Sequence, residues 1–158
     1  MVDDPDDYRP NSRWRLVTDP PEGPIEVDDL ALIIEQIAPG DSIPLHTHHD
    51  VNECVVVIQG RNEIRLGDDT WVLEAGDTVF IPKGMPHAQR NLGHEPLLIH
   101  AVFPSMVVDM ELLERNAAPG TEEGRPKHTV YDLRTGEFWE WRDPQPRGPR
   151  MQEPRDPR

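Results

Sequence analysis

From Ile25 onward the chain alternates short apolar runs with turn residues. Leu30 to Ala38 (LALIIEQIA) is apolar and partly β-branched. Pro39-Gly40 stops it, so it reads as a strand rather than a helix. Ser42 to His48 makes a second strand, in which Pro44 implies an edge or a bulge. Glu53 to Gln59 is a third, ended by Gly60. Asn62 to Leu66 and Thr70 to Leu73 flank Gly67-Asp68-Asp69 and predict a hairpin. Thr78 to Ile81, His87 to Asn91 and Leu97 to Phe103 follow, parted by Pro82-Lys83-Gly84 and a turn around Gly93. About eight short strands at this spacing predict an all-β antiparallel sandwich or barrel over residues 25–104.

The flanks have another texture. Residues 1–24 form an N-terminal arm with five prolines, among them Pro5, Pro10 and Pro24, which excludes a long helix. Within it, Trp14, Leu16 and Val17 predict an edge strand, docked on this domain or on a partner subunit. Met106 to Arg115 fits a strand followed by a turn or one short helix, with the strand preferred. Thr129 to Leu133 and Glu137 to Trp141 bracket Arg134-Thr135-Gly136 as a hairpin, so residues 105–141 read as a C-terminal extension. Residues 142–158 are rich in Pro and Arg and predict a flexible tail.

Charge narrows the partners. A formal net charge of -14 over 158 residues repels phosphate backbones and anionic lipid, so neither nucleic acid nor membrane is expected. No apolar run approaches the ~20 residues that cross a bilayer, and the acidic start, MVDDPDDYRP, is unlike a secretory signal. The one cysteine, Cys54, cannot form an internal disulfide, which makes the cytoplasm the expected location.

The candidate chemistry lies in two stretches, Gly40 to Gly60 and Gly76 to Asn91. His46 and His48 are two apart on a strand and share a face, with Thr47 on the other. Four residues then allow a turn before Glu53, and His87 opens a later strand. Three imidazoles and one carboxylate suit Fe2+, Mn2+, Ni2+, Zn2+ or Cu2+. The lack of a thiolate argues against a purely structural zinc. Four protein ligands in an octahedral shell leave two positions open, which permits catalysis.

The first stretch resembles the first cupin motif, G(X)5HXH(X)3-4E(X)6G, at Gly40, His46, His48, Glu53 and Gly60. The second resembles the second cupin motif, G(X)5PXG(X)2H(X)3N, at Gly76, Pro82, Gly84, His87 and Asn91. The resemblance implies a double-stranded β-helix, or jelly-roll barrel, with His46, His48, Glu53 and His87 as metal ligands. It further implies a small-molecule substrate or ligand in the barrel, and a homodimer that exchanges an N-terminal strand.

Strand parity sorts the neighbours. Glu53, Val55 and Val57 share a face, so Val55 and Val57 are expected as apolar pocket walls, and Cys54, Val56 and Ile58 point outward. Gln89 shares a face with His87 and is the candidate for orienting a substrate, while Asn91 is expected to stabilise a turn. His100 is either a pocket-facing acid/base or a packed core histidine; His49 and His128 are expected at the surface. The leading expectation is a metal-dependent enzyme acting on a small organic molecule, either an Fe2+ dioxygenase or a metal-assisted isomerase or lyase. The alternative is a non-catalytic metal- or ligand-binding protein.

Overall fold

A computed structural model describes residues 6–18 and 27–142. The predicted tail from residue 143, the arm residues 1–5 and 19–24 and the barrel residues 25–26 lie outside the described residues. Twelve strands and no helix occur among the described residues: β1 (Arg13–Leu16), β2 (Ala31–Ile37), β3 (Ser42–Thr47), β4 (Glu53–Gln59), β5 (Arg61–Leu66), β6 (Asp69–Glu74), β7 (Thr78–Ile81), β8 (His87–Asn91), β9 (Leu97–Phe103), β10 (Val107–Leu112), β11 (His128–Asp132) and β12 (Phe138–Glu140). No helix there is long and apolar enough to cross a membrane.

The strands form two antiparallel sheets of a jelly roll. One runs β1-β2-β9-β4-β7, the other β12-β11-β10-β3-β8-β5-β6. Strands distant in sequence become neighbours, as where β2 lies beside β9 and β3 beside β8. Val107–Leu112 is a strand, as preferred from its pattern, and it extends the second sheet by pairing with β3. Pro44 has no N–H to give the ladder, and the β3–β8 register shifts between Ile43 and His46, the irregularity that proline predicts.

Two apolar clusters divide the interior. Ile37, Ile43, Val55, Val57, Ile64, Ile81, Leu97 and Ile99 pack one half solid. Each large side chain so buried contributes about 1.5–3 kcal/mol. Val55 and Val57 therefore fill core and do not wall the cavity as parity suggested: they face inward, but toward the closed half. A second cluster, including Ile33, Ala101, Phe103 and Val108, surrounds the open half.

The described part of the arm packs on the barrel. Arg13–Leu16 pairs along β2 of its own chain. Ahead of it, buried Asp6 meets Arg115 at 2.6 Å, and Tyr8 N donates to Asn116 O at 2.7 Å.

Candidate metal centre and cavity

His46 on β3 and His87 on β8 are cross-strand partners. His48 follows β3 by one residue on the same face as His46, and Glu53 opens β4 in the opposite sheet. All four side chains are buried. Each offers one ligand atom, and these atoms all lie within 4.8 Å of one another. The His46 and His87 ring centroids are 4.1 Å apart, and His48 lies 5.1 and 5.3 Å from them.

Backbone carbonyls set the tautomers. His46 Nδ1 bonds Pro44 O (2.7 Å), His87 Nδ1 bonds Met85 O (2.9 Å), and His48 Nδ1 bonds Asp109 O. A carbonyl oxygen only accepts, so each Nδ1 carries the proton and each neutral ring keeps its Nε2 lone pair for the cluster. The turn at Pro82-Lys83-Gly84 is tied to this shell, because Gly84 N donates to His48 O at 2.6 Å.

Glu53 Oε2 lies 3.0 Å from His87 Nε2 and 3.3 Å from His48 Nε2. Both Glu53 Oε2 and His87 Nε2 are buried without a hydrogen-bond partner. Two lone-pair donors buried this close repel unless a proton or a cation lies between them. The donor set therefore fits a divalent transition metal. Burial first, then the imidazoles of His87 and His48, push His46 well below its ordinary pKa, which keeps it neutral. Burial alone would raise Glu53, but His48 and His87 beside it hold the carboxyl below its usual range. Burial opposes protonation of His48, and neighbouring Glu53 outweighs it to raise that ring.

The cluster opens into a cavity of about 640 Å³. Ile33, Ala101, Phe103, Val108 and Met110 give it apolar walls, and Tyr8, Arg9 and Trp14 of the arm close one side. A charged trio, Asp7, Arg9 and Glu35, stands among them. Arg9 holds Asp7 through two hydrogen bonds of 2.7 and 2.8 Å and reaches Glu35 Oε1 at 2.5 Å. Burial raises the Glu35 carboxyl above its ordinary value, although Arg9 pulls it down. Burial opposes the charge of Arg9, but Glu35 and Asp7 more than restore it. Sequence reasoning missed this group. Its signal was parity: Glu35 alternates with Ile33 and Ile37, which places a carboxylate on the inward face of an apolar strand. Nothing in the arm's sequence marked Arg9.

Gln89 is buried, lines the cavity, and accepts from Asn62 Nδ2 at 2.7 Å. Asn91 holds its turn, donating to Ile37 O and Glu95 O and accepting from Gly93 N. His100 departs from both expectations. It pairs with Ile34 and Val56 on the outer face of its sheet, whereas Leu97, Ile99, Ala101 and Phe103 take the inner face. It is neither in the pocket nor in the core, because both of its neighbouring strands also turn their inner residues the other way. Cys54 lies on that same outer face, opposite Val102 and Phe80.

Comparison with known proteins agrees with this architecture. A family profile described as "Cupin domain" matches residues 33–103, and the chain belongs to the cupin family. It is 38% identical over 60 residues to a quercetin 2,3-dioxygenase of Bacillus subtilis, covering 38% of this chain and 18% of that one. It is 33% identical over 85 residues to an uncharacterized protein of Methanocaldococcus jannaschii, covering 52% of this chain and 68% of the relative. Among solved structures, the Bacillus subtilis oxalate decarboxylase, described with Mn(II) centres, superposes with a TM-score of 0.51 at 25% identity. That match covers 54% of this chain and 24% of the other. The chain thus spans under a quarter of the length of both named enzymes.

Proposed function

We propose that this protein is a metal-dependent cupin enzyme acting on a small, largely apolar organic molecule. His46, His48, Glu53 and His87 are its metal ligands, and Fe2+ is the favoured ion over Mn2+, Ni2+, Zn2+ and Cu2+. The observation that carries the reading is the continuity of the buried three-histidine, one-carboxylate cluster with the 640 Å³ apolar cavity. A bound divalent ion supplies Lewis-acid polarisation or, as Fe2+, dioxygen chemistry. The chain's own residues do the rest. Trp14, Phe103 and Met110 take the apolar body of the ligand and exclude water, and Gln89 orients its polar end. The dioxygenase branch is supported by the likeness to a quercetin 2,3-dioxygenase. The isomerase or lyase branch is favoured by Glu35, a carboxylate in the cavity whose anchored oxygen leaves the other able to move a proton. The lone Cys54, which has no disulfide partner, supports a cytoplasmic setting.

Anaerobic purification, metal analysis and oxygen uptake against small acids, diketones and thiols separate the branches. Iron with substrate-dependent uptake supports the dioxygenase. Turnover without uptake supports the redox-neutral branch. Binding without any turnover by metal-loaded protein across the panel would replace both with a ligand-binding role.

We further propose a homodimer formed through the outer face of the β1-β2-β9-β4-β7 sheet. Leu32, Ile34, Val56, Ile58, Val102 and Phe80 present apolar surface there, with Phe80 61% exposed.

A further inference from the structure

We infer that His49, Glu111 and His128 form a second divalent-metal site, on the opposite face of the sheet from the first. The fold brings them together from β10, β11 and the loop that follows β3. Glu111 on β10 is the cross-strand partner of Thr47 on β3 and of His128 on β11. His49 lies two residues beyond Thr47 and so returns to that same outward face, while His46 and His48 point inward. Each of the three offers one ligand atom, and these atoms lie within 4.8 Å of one another. His49 Nε2 is 2.6 Å from Glu111 Oε2, and the two imidazole centroids are 4.9 Å apart.

Two features make this more than a surface ion pair. The rings are held in place: Trp141 stacks on His128 at 4.5 Å and 10°, and its indole N–H donates to Asp50 at 3.2 Å. Beneath them, buried Asp109 accepts from His128 Nε2 at 2.9 Å and from the backbone N–H groups of His49 and Asp50. A carboxylate–histidine arrangement of this kind orients a ligating imidazole. Crowding of acidic side chains does not explain the cluster. The chain carries 30 Asp and Glu, yet only this group and the inner one meet the spacing among the described residues. Ligands bound at about 2.1 Å sit roughly 3 Å apart at octahedral angles and about 3.4 Å at tetrahedral ones, so His49 and Glu111 need to open by less than about 1 Å. Two imidazoles and one carboxylate select a borderline cation such as Zn2+, Ni2+ or Co2+ over Ca2+ or Mg2+. Bound there, the ion fastens residues 49–52, the link between His48 and Glu53, to β10 and β11.

The test uses full-length protein stripped with chelator and titrated with Zn2+, with bound metal counted after desalting. Wild type is expected to retain two equivalents. The His49→Asn/His128→Asn variant and Glu111→Gln are each expected to retain one, held at the inner cluster. His46→Ala/His87→Ala is expected to retain the outer one, so failure of either site is read independently of the other. A wild type that retains one equivalent, lost in the inner variant, overturns the proposal. So does an outer variant that keeps two. Anomalous scattering at the zinc edge from wild-type crystals gives a reading that needs no variant: a peak among His49, Glu111 and His128 supports the site, and its absence at saturating Zn2+ overturns it.

Discussion

Glu53 and His87 set two buried lone-pair atoms 3.0 Å apart, and the cluster relieves that repulsion by taking up a proton or a cation. Metal should therefore stabilise the fold as well as equip it. Adding Fe2+ or Mn2+ to stripped wild type is expected to raise the melting temperature, by linkage between binding and folding. In His87→Ala the rise should shrink and affinity should fall by at least about tenfold, the lower end of losses measured even for groups behind a ligand. Calorimetry and melting curves check both. Glu35 gives a prediction of opposite sign. Its carboxyl is raised by burial, so the native state binds that proton more readily than the unfolded chain does. The charged form is a net cost at neutral pH, and the cost fades as pH falls through the raised value toward the unfolded value of about 4.3. Glu35→Gln should melt higher than wild type at pH 8, with the gap closing by about pH 4. A gap that widens on acidification would mean that Arg9 outweighs burial.

At the scale of elements, the strands from β2 to β9 were legible because each is a short run whose inward residues alternate and whose ends carry Gly or Pro. Gly60 shows how strict those ends are. It sits at φ +94°, and a Cβ there would come within 3.2 Å of the Leu97 backbone. Gly60→Ala should cost at least about 1 kcal/mol in denaturant unfolding, against a near-neutral result if the turn can relax. The ligands were legible for the same local reason: spacing two on a strand fixes a face. What failed was what spacing cannot carry. Parity groups Val55 with Glu53 and Val57, and His100 with Leu98 and Val102, but it does not say which face of β9 meets the core, nor which stretch of an inner face meets the cavity and which meets solid packing. His100 was misread because both faces of β9 look apolar, Leu98 and Val102 on one and Ile99 and Ala101 on the other. The arm failed differently. Arg9 and Trp14 reach the cavity by packing across some 20 residues of sequence onto β2, and no local period records such a contact.

For the whole molecule, a net charge of -14 makes association costly except where acidic groups are missing. The outer face of the β1-β2-β9-β4-β7 sheet is such a place. Its outward residues are Arg13 and Arg15, then Leu32, Ile34 and Gln36, then Leu98, His100 and Val102, then Cys54, Val56 and Ile58, then Thr78 and Phe80. None is acidic. The row Ile34, His100, Val56 and Thr78 runs straight across its centre, beside the row Leu32, Val102, Cys54 and Phe80. A two-fold axis through this patch would bury the same apolar strip on both copies without bringing carboxylates together. Val56→Glu places a charge in that centre while leaving the inward residues Val55 and Val57 untouched. Light scattering at low salt is expected to give a dimer for wild type and a monomer for Val56→Glu, with the metal content of the inner cluster unchanged. Removing residues 1–24 distinguishes an arm that only walls the cavity from one that also joins subunits. Because β1 pairs along β2 of its own chain, at the edge of the patch, the deletion should open the cavity. If the arm also crosses between subunits, the particle mass falls to that of one chain; if the sheet face alone carries the interface, the dimer persists.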